Sequence, residues 1–501
     1  MVIIGGGATG LGIAVDSASR GHSTLLLERQ DFAKGTSSRS TKLIHGGVRY
    51  LQQGNVGLVL EALRERGLLT QNAPHLVGHL AFIVPNYVWW EAPFYGIGLK
   101  IYDLLAGKLG LGPSKHLSRE ETMARLPTLE PDGLKGGTIY YDGQFDDARL
   151  AITLARSAVD HGATVLNYAA AVRLLKKQDL VRGLVVRDLE SGREHEVHAR
   201  VVINATGVFA DSIRRLDEPS GAAVIQPSQG IHVVLDKSFM PSDSAIMVPK
   251  TDDGRVLFCI PWHDRVLVGT TDTAVGEILD EPRPLEEEIE FLLTHTARYL
   301  TKDPRRSDIL SAFAGLRPLV RSTEANGTAA VPRDHSVLVS QSGLVTVVGG
   351  KWTTYRKMAE DAVAQAELVG GFEMRPCRTE SLRLHGWQTP KKEDGHYRVY
   401  GAEQEELHAL ARANDQHDTV LHPRLPYREA EVIWAVRHEM ARTIEDVLSR
   451  RTRALLLDAR ASVEIAPRVS SILAAELKRS REWEAEQVAS FRQVANGYLV
   501  A

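Results

Sequence analysis

The chain has 501 residues, with 60 Lys plus Arg against 63 Asp plus Glu, 43% hydrophobic residues, 42 glycines and 2 cysteines. That is material for two to four domains at roughly 100–200 residues each, and a formal charge of −3 removes the electrostatic case for a nucleic-acid partner or a polybasic anchor. The composition excludes disorder, while Cys259 and Cys377 cannot build a disulfide framework and no CxxC or Cys/His cluster has zinc spacing, so a reducing compartment and no metal are expected.

The first predicted strand, Val2-Ile3-Ile4, runs straight from Met1 with neither a basic n-region nor a cleavage site. Its shortness suggests that the native start lies slightly upstream. Gly5-Gly6-Gly7-Ala8-Thr9-Gly10 then turns into a helix over 11–20, and a second strand covers 23–28. The most apolar stretch, 84–112, is broken by Glu91, Lys100, Asp103 and Lys108 before the ~18–20 residues that a membrane span needs. A soluble or peripheral protein is expected. Val201-Val202-Ile203-Asn204-Ala205-Thr206-Gly207 reads as a buried strand ending in glycine, and 344–348 as another that leads through Gly349-Gly350-Lys351 into a helix over 354–366. Continuous apolar strands alternating with helices predict one parallel sheet, covered on both faces and interrupted by insertions. Between them the chain is β-rich, with a strand over 231–235 and a hairpin whose arms, 255–260 and 265–269, flank Pro261-Trp262-His263-Asp264. From residue 403 helical periodicity dominates, notably over 429–458 and 464–492, as a helical appendage. The expected division is 1–384 and 385–501.

Gly5, Gly7 and Gly10 form GxGxxG between a strand and a helix, and Glu28 ends the following strand where a ribose-binding carboxylate belongs. Glycines let the backbone approach a pyrophosphate, the helix N-terminus offers it N–H groups, and the acidic residue disfavours a 2′-phosphate. NAD and FAD remain. Two features favour FAD: the hydroxyl-rich run Gly35-Thr36-Ser37-Ser38-Arg39-Ser40-Thr41-Lys42-Leu43-Ile44-His45-Gly46-Gly47, and the late turn Gly349-Gly350-Lys351-Trp352-Thr353-Thr354, whose helix could stabilise negative charge on the reduced flavin ring.

These motifs, with the continuation Val48-Arg49-Tyr50-Leu51, Asp146-Asp147-Ala148-Arg149-Leu150, Asn204 to Gly207, Gly269-Thr270-Thr271-Asp272, Gly315-Leu316-Arg317-Pro318-Leu319 and Glu445-Asp446-Val447-Leu448-Ser449-Arg450-Arg451-Thr452-Arg453, stand in one order along the chain. Together they resemble the FAD-dependent glycerol-3-phosphate dehydrogenases. The resemblance implies an α/β fold: an FAD-binding Rossmann-like sheet of the amine-oxidase or glutathione-reductase kind, a β-rich substrate domain and an α-helical C-terminal domain. It implies FAD held by Gly5, Gly7, Gly10, Glu28, Thr36, Ser37, Ser38, Lys42, His45, Gly46, Gly207, Gly350, Lys351 and Thr353. Arg49, Tyr50, Thr270, Arg317 and Lys351 would surround glycerol 3-phosphate, with His232 and Arg317 catalytic. Arginine suits bidentate phosphate binding, lysine a point charge, and histidine removal of the hydroxyl proton, although the identity of the base stays open. The implied acceptor is a membrane quinone, reached by a cytoplasmic protein bound peripherally to the inner face of the plasma membrane. The aromatic segment 87–102, with Trp89, Trp90, Phe94 and Tyr95, or the basic run Arg450, Arg451 and Arg453 would touch the bilayer. A homodimer stays open. The alternatives are an oxygen-using oxidase, whose mid-region insertion is not apparent here, and a flavin-binding protein without turnover.

Overall fold

The computed structural model describes residues 1–47, 55–88, 91–249, 251–252, 254–321 and 335–500, and of residues 91–95, 108 and 392 the backbone alone. Strands Val2–Ile4, Leu25–Leu27, Thr164–Leu166, Val202–Asn204, His335–Val339 and Val345–Gly349 form a six-stranded sheet. Val2 lies beside Leu25 on one side and Val202 on the other, both parallel, and Ile203 pairs with Val345. Only the edge strand His335–Val339 runs antiparallel. The central strands are mainly apolar, and Val2–Ile4 and Val202–Asn204 are wholly buried, as a sheet covered on both faces requires.

The glycine turn is enforced by space. Gly5 has φ +112°, and a Cβ on Gly10 would lie 1.9 Å from the Gly5 carbonyl oxygen. The third glycine of the motif therefore lets helix Ala8–Ser19 close onto the strand before it. Helix Tyr355–Gly370 packs beside it, with Tyr355 against Gly12.

A second, larger sheet is mostly antiparallel and holds Val77–Asn86, Gly136–Phe145, Ile225–Asp236, Ser244–Val248, Leu257–Trp262, Arg265–Gly269 and Ile309–Val320. Ile225–Asp236 is the long form of the short strand predicted from sequence, and it pairs along its whole length with Ile309–Val320. The predicted hairpin is present with a tighter turn: Trp262 pairs with Arg265, leaving only His263 and Asp264, both at positive φ (45° and 56°), to reverse the chain. That is the backbone a two-residue hairpin needs to match strand twist.

The C-terminal residues are not an appendage. Val432, Leu448, Leu456 and Leu473 share one apolar core with Phe82, Val234, Ile260 and Leu267 of the large sheet. The helix expected over 429–458 is broken. Helix Glu429–Glu439 stops at Met440, which is left-handed, and the Asp446 carboxylate accepts from the amides of Arg442 and Thr443 to start a π-helical turn, Asp446–Arg451. Strands Val420–His422 and Leu425–Arg428 form a ribbon that helical periodicity did not reveal.

Candidate active site

Two adjoining cavities, of about 430 and 210 Å³, share Thr36, Pro318, Gly349, Gly350, Lys351 and Trp352 in their walls. The first lies over the carboxyl ends of the parallel strands, at the N-terminus of helix Ala8–Ser19, where open α/β sheets take their ligands. Gly5, Gly7, Glu28, Thr36, Ser37 and Gly207 line it. The hydroxyl-rich loop folds back onto the helix start, so that Ser37 Oγ accepts from the Ala8 amide at 2.9 Å. A Cβ on Gly7 would come within 3.1 Å of that same oxygen. Glu28 accepts from Gly6 N at 2.7 Å and Gln30 N at 2.8 Å, while burial pushes its carboxyl above the usual range. Trp352 Nε1 donates to Ser37 O at 2.9 Å and ties the late turn to the loop. A glycine floor, a helix N-terminus and a carboxylate beyond them make a cradle that fits a dinucleotide.

The second cavity sits between the long strand pair and the late turn. Arg39, Thr41, His45, His232, Arg317 and Thr353 contribute to it. Strand register sets their places: His232 lies opposite Phe313 and Ser228 opposite Arg317, so the histidine and the arginine belong to neighbouring strands. His232 stacks on Phe313 with ring centroids 5.1 Å apart, and its Nε2 is 2.9 Å from Thr41 Oγ1. Nδ1 is buried and has no hydrogen-bond partner among the described residues. Burial first, then the positive charges of Lys42 and Arg317, hold the imidazole well below its ordinary pKa, so it is neutral at pH 7. Arg317 donates to Thr271 O at 2.8 Å, Gln229 O at 3.1 Å and Thr270 Oγ1 at 3.2 Å, and lies 3.4 Å from Asp272. Gly230 has no Cβ where the guanidinium passes. A cation held from behind in this way presents a fixed charge to the cavity.

Residues 1–356 match the family model described as FAD dependent oxidoreductase, and residues 345–485 that of the C-terminal domain of alpha-glycerophosphate oxidase. The mitochondrial glycerol-3-phosphate dehydrogenase of Homo sapiens is 40% identical across 98% of this chain and 72% of its own length. That of Arabidopsis thaliana is 40% identical across 97% and 84%. This chain belongs to the FAD-dependent glycerol-3-phosphate dehydrogenase family. A solved glycerol-3-phosphate dehydrogenase from Bacillus halodurans, complexed with FAD, superposes with a TM-score of 0.81 at 28% identity over 99% of this chain and 94% of that one. The L-alpha-glycerophosphate oxidase of Mycoplasma pneumoniae, at 16% identity and a TM-score of 0.57 over 76% of this chain, shares the fold.

For a member of this FAD-dependent family, the two cavities gather most of the residues expected from sequence, and several stand elsewhere. Lys42 is wholly buried and faces Asp147 at 2.6 Å, outside both cavity walls. Ser38 is buried and offers its carbonyl to Lys42. Gly46 and Gly10 act by packing: a Cβ on Gly46 would strike Leu63 and Tyr102. Thr270 supports Arg317 from outside the wall. Arg49 and Tyr50 lie outside the described residues, as do Trp89 and Trp90. Arg450, Arg451 and Arg453 are corrected outright. Each is 1% exposed and paired with Asp31 or Asp147, so none can meet a bilayer. Sequence reasoning passed over Arg39 and Thr41, though both stand inside the loop it singled out. Adjacency to that loop was the available signal.

Proposed function

We propose that the chain oxidises sn-glycerol 3-phosphate to dihydroxyacetone phosphate and passes the electrons to a membrane quinone. The observation that carries this reading is the second cavity itself, in which a neutral histidine and a braced arginine open onto a dinucleotide cradle. Bound FAD supplies the hydride acceptor. Lys351 and Arg317 bring positive charge to the walls for a phosphate dianion, and family resemblance assigns Arg49 and Tyr50 to the same substrate. His232, whose Nε2 lies 2.9 Å from Thr41 Oγ1, takes the hydroxyl proton. The carbinol hydrogen leaves as hydride and the hydroxyl hydrogen as a proton, which balances a two-electron oxidation.

The membrane contact is assigned to helix Glu91–Ala106. Ile97, Ile101 and Leu104, at helical spacing, are 64%, 47% and 80% exposed, and Val56 and Leu60 of the neighbouring helix Val56–Asn72 add to this apolar surface. No described helix is long and apolar enough to cross a membrane. The compartment proposed is the cytoplasm, at the inner face of the plasma membrane; the relatives above carry the word mitochondrial in their names, and fractionation decides the point. The proposed functional division is an oxidoreductase region over 1–384 and a helical domain over 385–501.

The test is anaerobic. Glycerol 3-phosphate should bleach the flavin absorbance of the purified protein, and a short-chain quinone should restore it faster than air-saturated buffer does. No bleaching refutes the substrate. Rapid recovery in air with stoichiometric peroxide would make the protein an oxidase.

A further inference from the structure

Two motifs that the resemblance brought forward without a role in the active site, 146–150 and 445–453, meet beneath the hydroxyl-rich loop. Asp147, wholly buried, is the junction. Its Oδ2 accepts from Ser40 N at 3.1 Å, Ser40 Oγ at 2.7 Å and Lys42 Nζ at 2.6 Å. Its Oδ1 accepts from Arg453 Nη2 at 2.9 Å. Arg453 and Lys42 also converge on one carbonyl, Ser38 O, at 3.1 and 2.8 Å, and Arg453 Nη1 donates to Ser449 O at 2.7 Å. Lys42 and Arg453 both hold left-handed backbone, at φ 63° and 90°. Residues with a Cβ rarely accept that conformation, and it persists only where surrounding contacts impose it.

Thr41 stands between Ser40 and Lys42, the two loop residues that Asp147 grips. Its hydroxyl is the one hydrogen-bond partner of His232 Nε2, at 2.9 Å, among the described residues. A buried ion cluster is a poor source of net stability, because desolvation offsets its Coulombic gain. Its evident product is geometric: it fixes both neighbours of Thr41. We infer that Arg453, contributed by the C-terminal domain, acts with Asp147 and Lys42 to position the Thr41 hydroxyl against His232, which sets the orientation of the active-site imidazole. Thr41, Asp147 and Arg453 are thus positioning residues, and the inference rests on the reading of His232 as proton acceptor.

The test uses the FAD-loaded full chain and two readouts: limiting rate and apparent Kd of flavin bleaching by glycerol 3-phosphate, and the ring ¹⁵N resonances of histidine-labelled protein. Thr41→Val, which leaves every ion pair in place, is expected to lower the limiting rate by about tenfold or more while Kd stays within about twofold, and to move the His232 Nε2 resonance. Thr41→Ser should restore both. Asp147→Asn should reproduce the loss, and adding Thr41→Val to it should cost nothing further. A wild-type rate with an unmoved resonance in Thr41→Val overturns the inference, as do independent, multiplying losses in the double variant. Should Asp147→Asn fail to fold, Arg453→Lys takes its place: lysine cannot reach Ser38, Asp147 and Ser449 together, and a wild-type rate there is equally fatal. Absence of bleaching in the wild-type protein would instead sink the substrate assignment, and the resonances alone would then decide the Thr41 contact.

Discussion

His232 shows how surroundings choose a chemical role. A ring stacked on Phe313 with Lys42 and Arg317 nearby resists a proton, so in the proposed reaction it starts able to accept one. Because its pKa is depressed in the folded protein, the base form is lost only as pH falls through that lowered value. The acid limb of kcat/KM, which reports the free enzyme, should therefore lie below the ordinary histidine value of about 6.5. A limb at or above that value would contradict the assignment. His232→Ala should keep FAD bound and slow flavin bleaching by about 10²-fold or more. Arg317→Lys is expected to raise the Kd for glycerol 3-phosphate several-fold, since a single ammonium cannot keep the bonds to Gln229, Thr270 and Thr271 together. Equilibrium titration of the flavin spectrum measures it.

Helix Glu91–Ala106 presents an inner and an outer face. Inward, Tyr102 donates its hydroxyl to Asp142 and accepts from the Gly46 amide at 2.7 Å, next to the cavity residue His45. Outward, it offers Ile97, Ile101 and Leu104. Ile97→Asp with Leu104→Asp should abolish sedimentation with anionic lipid vesicles while leaving reduction of a soluble dye by glycerol 3-phosphate within about twofold. Retained sedimentation would remove this helix from the membrane contact. Elements such as these were unevenly legible in the sequence. The strand, glycine turn and helix at the N-terminus could be read directly, because local spacing alone dictates them. The same is true of the sheet membership of Val202–Asn204 and Val345–Gly349, which continuous apolar runs reveal. The run Arg450, Arg451 and Arg453 looked like a charged surface because its partners are remote: Asp31 stands 419 residues away from Arg450, and Asp147 stands 306 away from Arg453. The pairing of Lys42 with Asp147 was likewise hidden, since nothing in the loop announces a carboxylate 105 residues away. Long-range ion pairs leave no periodicity to read.

At the scale of the whole molecule, the loop after the ribose strand is bound to the C-terminal domain by alternating charges. Arg39 pairs with Glu281 at 2.7 Å, Lys34 with Glu281 at 2.9 Å and with Glu445, and Arg450 with Glu445 and Asp446 at 2.8 Å. Arg450 and Arg451 then close on Asp31. These cations hold Glu281 and Asp31 at about 2, below the ordinary 4.5 and 3.8. At these two carboxyls the folded state thus binds fewer protons than the unfolded chain, and their contribution to stability rises with pH across this window. It is fully present above about pH 5 and is lost as pH falls towards 2. Acid titration should release FAD and unfold the protein within that interval, followed by flavin fluorescence and circular dichroism together. Asp31→Asn leaves Arg450 and Arg451 without their shared carboxylate and should cost about 3–5 kcal/mol at neutral pH, measured by urea unfolding.

The order of strands in the six-stranded sheet has a consequence in time. Val2–Ile4 lies between a strand made soon after it and one, Val202–Asn204, that leaves the ribosome some 200 residues later. At roughly 5–20 residues per second this leaves one side of the first strand without its partner for about 10–40 s. During that interval an apolar strand edge and an unfinished glycine turn are open to other nascent chains. Yield of the enzyme should therefore depend more on chaperone supply and translation rate than its final stability suggests.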